Sequence, residues 1–390
     1  MTIMSNATIS PSLPGLEAMF SDQPDAELLT RLLVTAPSIV VAVSAPFLGL
    51  VVDRVGRRAI LLIGALLYAV LGTAGLYLPD LQSILFSRLG LGVAVAAIMT
   101  AQSALIGDYF VGEMRGRFLG YQTSASHFGG LAFVSLAGVL AAQNVRAPFA
   151  IYGFAALMLP LFWFALPPAP HPKAAGPMVT TSTGGVLGWM AIVLSMVVAG
   201  AATMTIYYAI PTQVPYHLAR IDLGGPTTVG WILGTLMLAG GVSGFLSGRF
   251  RARFGQIITP SFGLLLIAAG FAGIGLTESL FGQSLSAGLA GGGIGFTMPT
   301  FMTAALHAAP GRRRGFVAGL ITSSIFVGQF ASPILSQPLV ASLGSSGMFL
   351  TFAALAVGTY SLEIEGGDCV STVSTSNFNV TLPNCSGGPT

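Results

Sequence analysis

Long apolar stretches alternate with short polar connectors along almost the whole chain. A helix of about 20 apolar residues is long enough to cross the hydrocarbon of a bilayer. The pattern predicts ten such spans, at residues 30–52, 59–78, 82–106, 117–141, 147–166, 186–210, 226–247, 257–276, 281–306 and 316–340. An eleventh apolar piece, Gly347–Tyr360, has fourteen residues and is short of the usual spanning length. We therefore predict an all-α polytopic membrane protein with 10 or 11 transmembrane helices.

The composition excludes an ordinary soluble protein. Charged residues make up 7% of the 390 positions and hydrophobic residues 53%, and the mean hydropathy is +0.81. A soluble domain carries about 25% charged residues, so this chain could not solvate a globular surface. The predicted spans contain no His/Asp cluster and no metal-ligand pattern. We expect no enzyme activity, no metal and no cofactor.

The basic residues are distributed unevenly between the connectors. Twelve of the sixteen Lys and Arg residues lie in alternate connectors, near residues 53–58, 112–117, 172–175, 248–255 and 311–315. The connectors of the opposite side hold two, Arg146 and Arg220. Because cytoplasmic loops of membrane proteins are enriched in Lys and Arg, the basic connectors are predicted to face the cytoplasm and the N-terminus the outside. The net charge of +3 thus reflects topology and needs no nucleic-acid partner.

The spans fall into two groups of five around a Pro-rich connector, Pro167–Gly185. We expect an extracytoplasmic N-terminal segment, an N-terminal helical bundle, a central cytoplasmic linker, a C-terminal helical bundle and a polar tail, at residues 1–27, 28–166, 167–185, 186–361 and 362–390.

The two groups of spans repeat each other weakly. The pattern R-G-x-x-x-G occurs at Arg115–Gly120 and again 199 residues later at Arg314–Gly319. The connector Gly49–Arg58 has a degraded counterpart in Gly244–Gly255, at an offset of 195. Internal repeats with a binding site at their interface are typical of transporters.

The connector GLVVDRVGRR, Gly49–Arg58, carries a recognisable motif. It is similar to the loop G-x-L-a-D-r-x-G-r-r/k between the second and third helices of the major facilitator superfamily. The stretch RLGLG, Arg88–Gly92, resembles the Arg-containing motif of that family's fourth helix, and Gly107–Gly120 resembles its next cytoplasmic loop. The resemblance covers residues 8–355 and is greatest to bacterial drug-efflux-like and arabinose-efflux-like members. It implies the major facilitator fold, two pseudo-symmetric helical bundles around a central cavity.

The resemblance also implies a cytoplasmic gate. In the family the motif Asp caps the first turn of a helix in the other half, where the positive end of the helix dipole stabilises a carboxylate. Asp53 would then cap the helix that begins near Arg314–Phe316, and Arg57 would bridge towards Asp108. The implied gate consists of Gly49, Asp53, Arg54, Gly56, Arg57, Arg58, Asp108, Arg115, Gly116, Arg314 and Gly315. The alternative is that these charges only set the topology.

The chain departs from the family at both ends. Family members have twelve spans with the motif after the second, whereas here one predicted span precedes it. The Ser/Thr/Asn-rich tail after Tyr360 matches nothing in the family. We expect the first helix of the family to be missing and the tail to be atypical. One explanation is a mis-assigned start of the sequence together with a frameshifted or foreign end. The other is a genuine short variant with an unusual tail.

Four residues are candidates for the substrate or proton pathway. Arg88 lies about six residues inside its span, roughly 9 Å deep, where it would face the cavity or extend to the outer interface. His127 lies about 15 Å deep and would carry protons or bond a neighbouring helix. Tyr207 and Tyr208 would line the cavity or belong to the interfacial aromatic belt. None of the thirteen acidic residues lies inside a predicted span.

These observations predict a monomeric secondary transporter of the bacterial inner membrane. Its substrate would be a small, largely apolar or amphipathic compound, exported by alternating access and driven by protons. Uptake of a small organic anion held by Arg88 is one alternative. The other is an incomplete membrane protein that transports nothing.

Overall fold

The computed structural model describes residues 8–109, 112–165, 186–309, 314–358, 361–364, 371–375 and 378–381. The helices are α1 Leu13–Met19, α2 Ala26–Val55, α3 Arg57–Thr73, α4 Leu81–Tyr109, α5 Gly112–Gln143, α6 Phe154–Ala165, α7 Val186–Arg220, α8 Pro226–Leu276, α9 Leu280–Ala308 and α10 Arg314–Gly358. Short 3-10 helices occupy Ser10–Ser12, Ala74–Leu76 and Ala147–Gly153. Within these residues, ten helical segments are long and apolar enough to cross a membrane, which confirms the predicted class.

Two of the long helices are interrupted by a glycine. Gly255 has φ 85° and divides α8 into the two spans predicted there. Gly344 has φ 72° and separates the last apolar piece from the rest of α10. A positive φ is readily adopted by glycine because it lacks a Cβ atom. Two helices therefore meet at a kink at each of these glycines.

The helices form two bundles. In the N-terminal bundle, α2 and α3 pack against α4, and α3 also packs against the segment 147–153 and α6. In the C-terminal bundle, α8 packs against α9 and α7 packs against α10. Each bundle has its own buried core, with Tyr68 and Phe149 in the first and Phe271 and Phe349 in the second. The bundles meet along two seams, α5 against α8 and α2 against α10.

The connectors carry local signals that position the helices. Asp80 precedes α4, and its carboxylate accepts hydrogen bonds from the Ser83 backbone N–H at 2.8 Å and the Ser83 hydroxyl at 2.9 Å. Such a side chain satisfies amide groups that the first turn of a helix leaves unpaired. These hydrogen bonds hold the pKa of the Asp80 carboxyl below its usual value. The start of α4 is thus fixed on the extracytoplasmic side.

The segment before α2 is packed against the bundles. Ile9, Leu13 and Leu16 are fully buried. The 3-10 helix Ser10–Ser12 contacts α5, α7 and α8, and α1 contacts α2 and α7. This segment therefore packs against helices of both bundles. In the C-terminal tail, three short strands form an antiparallel sheet in the order β1, β2, β3, with bounds Ser361–Ile364, Ser371–Thr375 and Phe378–Thr381.

Candidate functional site: a cleft between the bundles

A cleft of about 680 Å³ lies between α2 and α4 of the N-terminal bundle and α10 of the C-terminal bundle. Its walls are largely aliphatic and aromatic, and hydroxyl groups are interspersed among them. The polar and aromatic lining residues are Thr100, Ser103, Thr322, Ser323, Phe316 and Phe326. Among the described residues that line the cleft, none carries a charge. The cleft suits an apolar or amphipathic molecule with a few hydrogen-bonding groups.

The position of the cleft along the helices gives its sidedness. Ala45 lies ten residues before the end of α2, and Phe316 lies at the start of α10. Both ends adjoin the arginine-rich connectors that the charge distribution places in the cytoplasm. The cleft therefore lies in the half of the interface that is predicted to face the cytoplasm.

One hydrogen bond between the bundles lies just beyond the cleft. The Ser38 hydroxyl of α2 donates to Gln329 Oε1 of α10 at 2.8 Å, and both side chains are buried. Ser38 precedes the lining residue Val41 by three positions, and Gln329 follows Phe326 by three. Since residues three apart lie on one helix face, this pair is one turn above the cleft on its outer side. It joins the two bundles beyond the cleft, on the side away from the arginine-rich connectors.

The predicted cytoplasmic gate is described only in part. Gly56, between α2 and α3, has φ 104°, and Arg54 is exposed. Arg58 donates to the backbone carbonyl of Trp163, and its guanidinium carbon lies 5.0 Å from the centre of that ring. The remaining predicted contacts involve side chains outside the described set, those of Asp53, Asp108, Arg115, Gly116, Arg314 and Gly315. The gate, including Gly49 and Arg57, stays a prediction.

Arg88 is fully buried inside the N-terminal bundle. Its guanidinium carbon lies 4.6 Å from the ring centres of both Phe149 and Tyr152, and Nη2 donates to the Gly72 carbonyl at 3.1 Å. Its Nε and Nη1 atoms are buried without a hydrogen-bond partner. Arg88 is not among the residues that line the cleft, and its role in the pathway stays a prediction.

His127 lies at the seam between α5 and α8. A Cβ atom added to Gly240 would lie 3.3 Å from His127 Cε1, and one added to Gly241 would lie 2.9 Å from His127 Cβ. The glycines therefore let the ring approach the α8 backbone closely. His127 Nδ1 is buried and has no hydrogen-bond partner. The structure thus places a titratable ring between the two bundles, away from the cleft.

The two predicted tyrosines pack within the C-terminal bundle. Tyr207 is buried in its core, Tyr208 packs against that core, and their ring centres are 6.1 Å apart. Neither lines the cleft. Arg88, His127 and the tyrosine pair thus occupy three separate places, and the structure does not bring them together.

The sequence alone did not identify the residues that form the contacts and the cleft between the two bundles. Ser38, Gln329 and the cleft hydroxyls lie inside apolar spans. The available signal was their spacing, because Arg31, Thr35 and Ser38 recur at four and three residues on one helix face. The same spacing joins Gln329 and Ser332.

Comparisons with known proteins support one family. The family model of the Major Facilitator Superfamily matches residues 1–333. Quinolone resistance protein NorA of Staphylococcus aureus (strain N315) is 20% identical over 315 residues, which cover 79% of this chain and 80% of that protein. Multidrug resistance protein 2 of Bacillus subtilis (strain 168) is 31% identical over 123 residues, a match that spans 30% of this chain and 29% of that protein.

A solved structure has a similar fold. It is a bacterial homolog of the human lysosomal transporter Spinster, in an inward-facing and occupied conformation. It superposes with a TM-score of 0.71 at 16% sequence identity, covering 91% of this chain and 92% of that chain. At this level of identity the likeness concerns the fold alone.

Proposed function

The chain belongs to the Major Facilitator Superfamily and is a multi-pass secondary transporter. We propose that it exports a small, largely apolar or amphipathic compound across the bacterial inner membrane and that this export is coupled to protons. The observation that carries the proposal is the cleft between the bundles, with its aliphatic and aromatic walls and interspersed hydroxyls. Burial of an apolar molecule there gains roughly 25 cal/mol for each Å² removed from water. The drug-resistance names of the relatives support the same substrate class.

The proposed mechanism is a rocking of the bundles about the substrate. The cleft lies towards the helix ends that adjoin the arginine-rich connectors, which we expect to face the cytoplasm, and the Ser38–Gln329 bond lies beyond it. A substrate entering from the cytoplasm would reach the cleft directly. Rotation of the bundles would then break the outer contacts and close the cytoplasmic side, where the motif around Asp53 is placed.

His127 is our candidate for proton coupling. A histidine changes charge near neutral pH, and this one lies between the bundles, whose contact changes when they rock. Uptake of an organic anion has less support, because the Arg88 guanidinium is enclosed by Gly72, Phe149 and Tyr152 and is not at the cleft.

Transport by everted membrane vesicles tests the proposal. The vesicles come from a host without its own drug pumps, and the probe is norfloxacin, a fluorescent quinolone. Thr322→Trp would fill the cleft and lower norfloxacin accumulation at least tenfold, because its side chain lines the site. Phe86→Trp is the matched control, since that side chain is 72% exposed on the outside of the bundle. Accumulation should also disappear when an ionophore collapses the pH gradient.

Two results would contradict the proposal. Accumulation of radiolabelled benzoate in right-side-out vesicles, with no movement of norfloxacin, would favour anion uptake. Absence of flux for both compounds from correctly folded protein would favour a chain that does not transport. For the coupling role, His127→Gln should abolish accumulation driven by the gradient and leave norfloxacin exchange without a gradient intact. Unchanged gradient-driven accumulation would remove His127 from the mechanism.

A further inference from the structure

Two arginines lie on one exposed face of α8, just before the break in that helix. Arg249 and Arg253 are both exposed, and because they are four residues apart they lie on the same side of the helix. The Arg249 guanidinium carbon lies 5.6 Å from the centre of the Phe245 ring, and that of Arg253 lies 5.6 Å from the centre of the Phe254 ring. Each positive charge is therefore held over an aromatic ring at the surface of the protein.

The same face of α8 is apolar further from the break. Val242, Phe245 and Leu246 are exposed and lie one to two turns before Arg249. At a rise of 1.5 Å per residue, Val242 is roughly 10 Å along the helix axis from Arg249. A Cβ atom added to Gly248 would meet nothing within 4 Å, so the described part of the chain leaves this face open. The face thus combines an apolar column with two positive charges at its end.

The second half of α8 extends this apolar surface. Because Gly255 divides α8 into two spans, the break lies at one surface of the membrane. After it, Ile258, Phe262 and Leu265 are exposed at intervals of four and three residues. The Phe250 and Phe262 rings are stacked with their centres 5.3 Å apart, which holds the two spans together near the break. The arginines therefore lie at headgroup depth, and the exposed apolar columns lie at the depth of the lipid tails.

The sequence supplies almost no negative charge to this half of the protein. Residues 223–362 contain one acidic residue, Glu278, and the span Ile258–Leu276 separates it from the break, so it lies at the opposite membrane surface. Among the residues that the structure describes, no carboxylate forms an ion pair with Arg249 or Arg253. The basic connectors of the N-terminal half, by contrast, include acidic residues at positions 53, 108 and 113. The positive-inside bias accounts for the arginines but not for the absence of acidic neighbours or for the phenylalanines beside them.

We propose that this face of α8 binds an anionic phospholipid, with the headgroup phosphate between Arg249 and Arg253 and an acyl chain along Val242, Phe245 and Leu246. A guanidinium group donates two parallel hydrogen bonds to phosphate oxygens, and its stacking on a ring restricts its orientation before the lipid arrives. Basic clusters beside transmembrane helices attract anionic lipids through the same charge complementarity. The inference does not depend on the proposed function, because the lipid binds whether or not the chain moves a substrate.

Fluorescence quenching by brominated phospholipids tests the inference on the full chain. The native residues Trp163, Trp189 and Trp231 are replaced by Phe, and Phe245→Trp then places a reporter beside Arg249. The protein is reconstituted in phosphatidylcholine vesicles that contain either brominated phosphatidylglycerol or brominated phosphatidylcholine. We expect phosphatidylglycerol to bind beside the reporter at least fivefold more strongly than phosphatidylcholine, because two arginines face its charge.

Phe281→Trp supplies the matched reporter. Phe281 is 77% exposed in the same bundle, but it lies three residues after Glu278 and one span away from the arginines. The two lipids should bind equally well beside it. Arg249→Gln/Arg253→Gln should lower the preference at position 245 to the value at position 281. If the double variant does not fold, Arg253→Gln alone should lower the preference at least twofold.

Three results would overturn the inference. The first is equal binding of the two lipids beside the reporter at position 245. The second is a preference that survives Arg249→Gln/Arg253→Gln, because another group would then hold the phosphate. The third is an undiminished preference in Arg249→Lys/Arg253→Lys, since lysine keeps the charge but cannot form the paired hydrogen bonds of a guanidinium. Loss of norfloxacin flux with the lipid preference intact would refute export alone.

Discussion

The surroundings of Arg88 are those of a charge held by aromatic rings. Phe149 and Tyr152 each present a ring centre 4.6 Å from its guanidinium carbon, and Gly72 supplies a carbonyl acceptor. In the part of the chain that the structure describes, no acidic side chain forms an ion pair with it. A cation facing an aromatic ring gains about 2 kcal/mol when both are removed from water. Stacking on the two rings and the hydrogen bond to Gly72 therefore compensate for burying this charge.

Replacement of this arginine by lysine tests that explanation. In Arg88→Lys a compact ammonium group cannot stack on both rings, so we expect the free energy of unfolding to fall by about 2 kcal/mol. Thermal unfolding of the purified protein in detergent measures the change. Arg249→Lys is the control, because Arg249 stacks on Phe245 at 5.6 Å but is exposed, and its effect should be below about 0.5 kcal/mol. Equal melting temperatures for the two variants would contradict the stacking argument.

At the scale of elements, the structure sharpens the internal repeat. Gly56 and Gly255 both have positive φ at the junction of two helices, and they lie 199 residues apart. The same offset of 199 residues relates the two R-G-x-x-x-G patterns. The sequence alone had paired Gly49–Arg58 with Gly244–Gly255 at an offset of 195 residues. At an offset of 199, Arg54 corresponds to Arg253 and Asp53 to Ala252. The second copy thus keeps the turn and one arginine but has no acidic residue at the gate position.

The helices could be predicted from the sequence, but the contacts between helices could not. Each span is a long apolar run, so its existence follows from local sequence, and the break at Gly255 was predicted as a connector. The cleft depends on residues far apart in the chain, such as Ser38 and Gln329, which are separated by 291 positions. Local hydropathy carries no information about such a pair. The position of Arg88 along its helix follows from the sequence, but the direction of its side chain is set by packing against Phe149 and Tyr152.

The seam between α5 and α8 depends on close backbone approach. A Cβ atom on Gly138 would lie 2.7 Å from the Pro226 carbonyl oxygen and 2.9 Å from Gly230 Cα. Small residues at such positions let transmembrane helices pack closely. Because backbone atoms cannot rotate away, a methyl group there must displace one helix from the other.

Gly138→Ala should therefore weaken the seam. We expect a loss of about 1–3 kcal/mol in the free energy of unfolding, as for other overpacked sites. Thermal unfolding in detergent measures this loss. Gly129→Ala on the same helix is the matched control, since an added Cβ there meets nothing within 4 Å, and it should leave stability unchanged or slightly improved. Equal destabilisation by both substitutions would point to the α5 helix itself instead of the seam.

At the scale of the whole molecule, the distribution of basic residues and the position of the cleft are consistent with one predicted orientation in the membrane. Arg54 and Arg58 lie where α2 ends and α3 begins, at the end of α2 nearest the cleft. The buried N-terminal segment precedes the opposite end of α2. A transporter that loads from the cytoplasm needs this arrangement, because the substrate must find the cleft accessible while the outer side is closed.

That orientation makes a prediction about two exposed positions separated by a single span. Ala252 lies in the basic connector before the span Ile258–Leu276, and Glu278 lies just after that span. In a background in which Cys369 and Cys385 are replaced by Ser, Glu278→Cys should react with an impermeant maleimide added to intact cells, and Ala252→Cys should react only in everted vesicles. The reason is the positive-inside bias, which holds the arginines beside Ala252 in the cytoplasm. The reverse labelling pattern would show that the protein has the opposite orientation in the membrane. The cleft would then receive substrate from outside, as an uptake system requires.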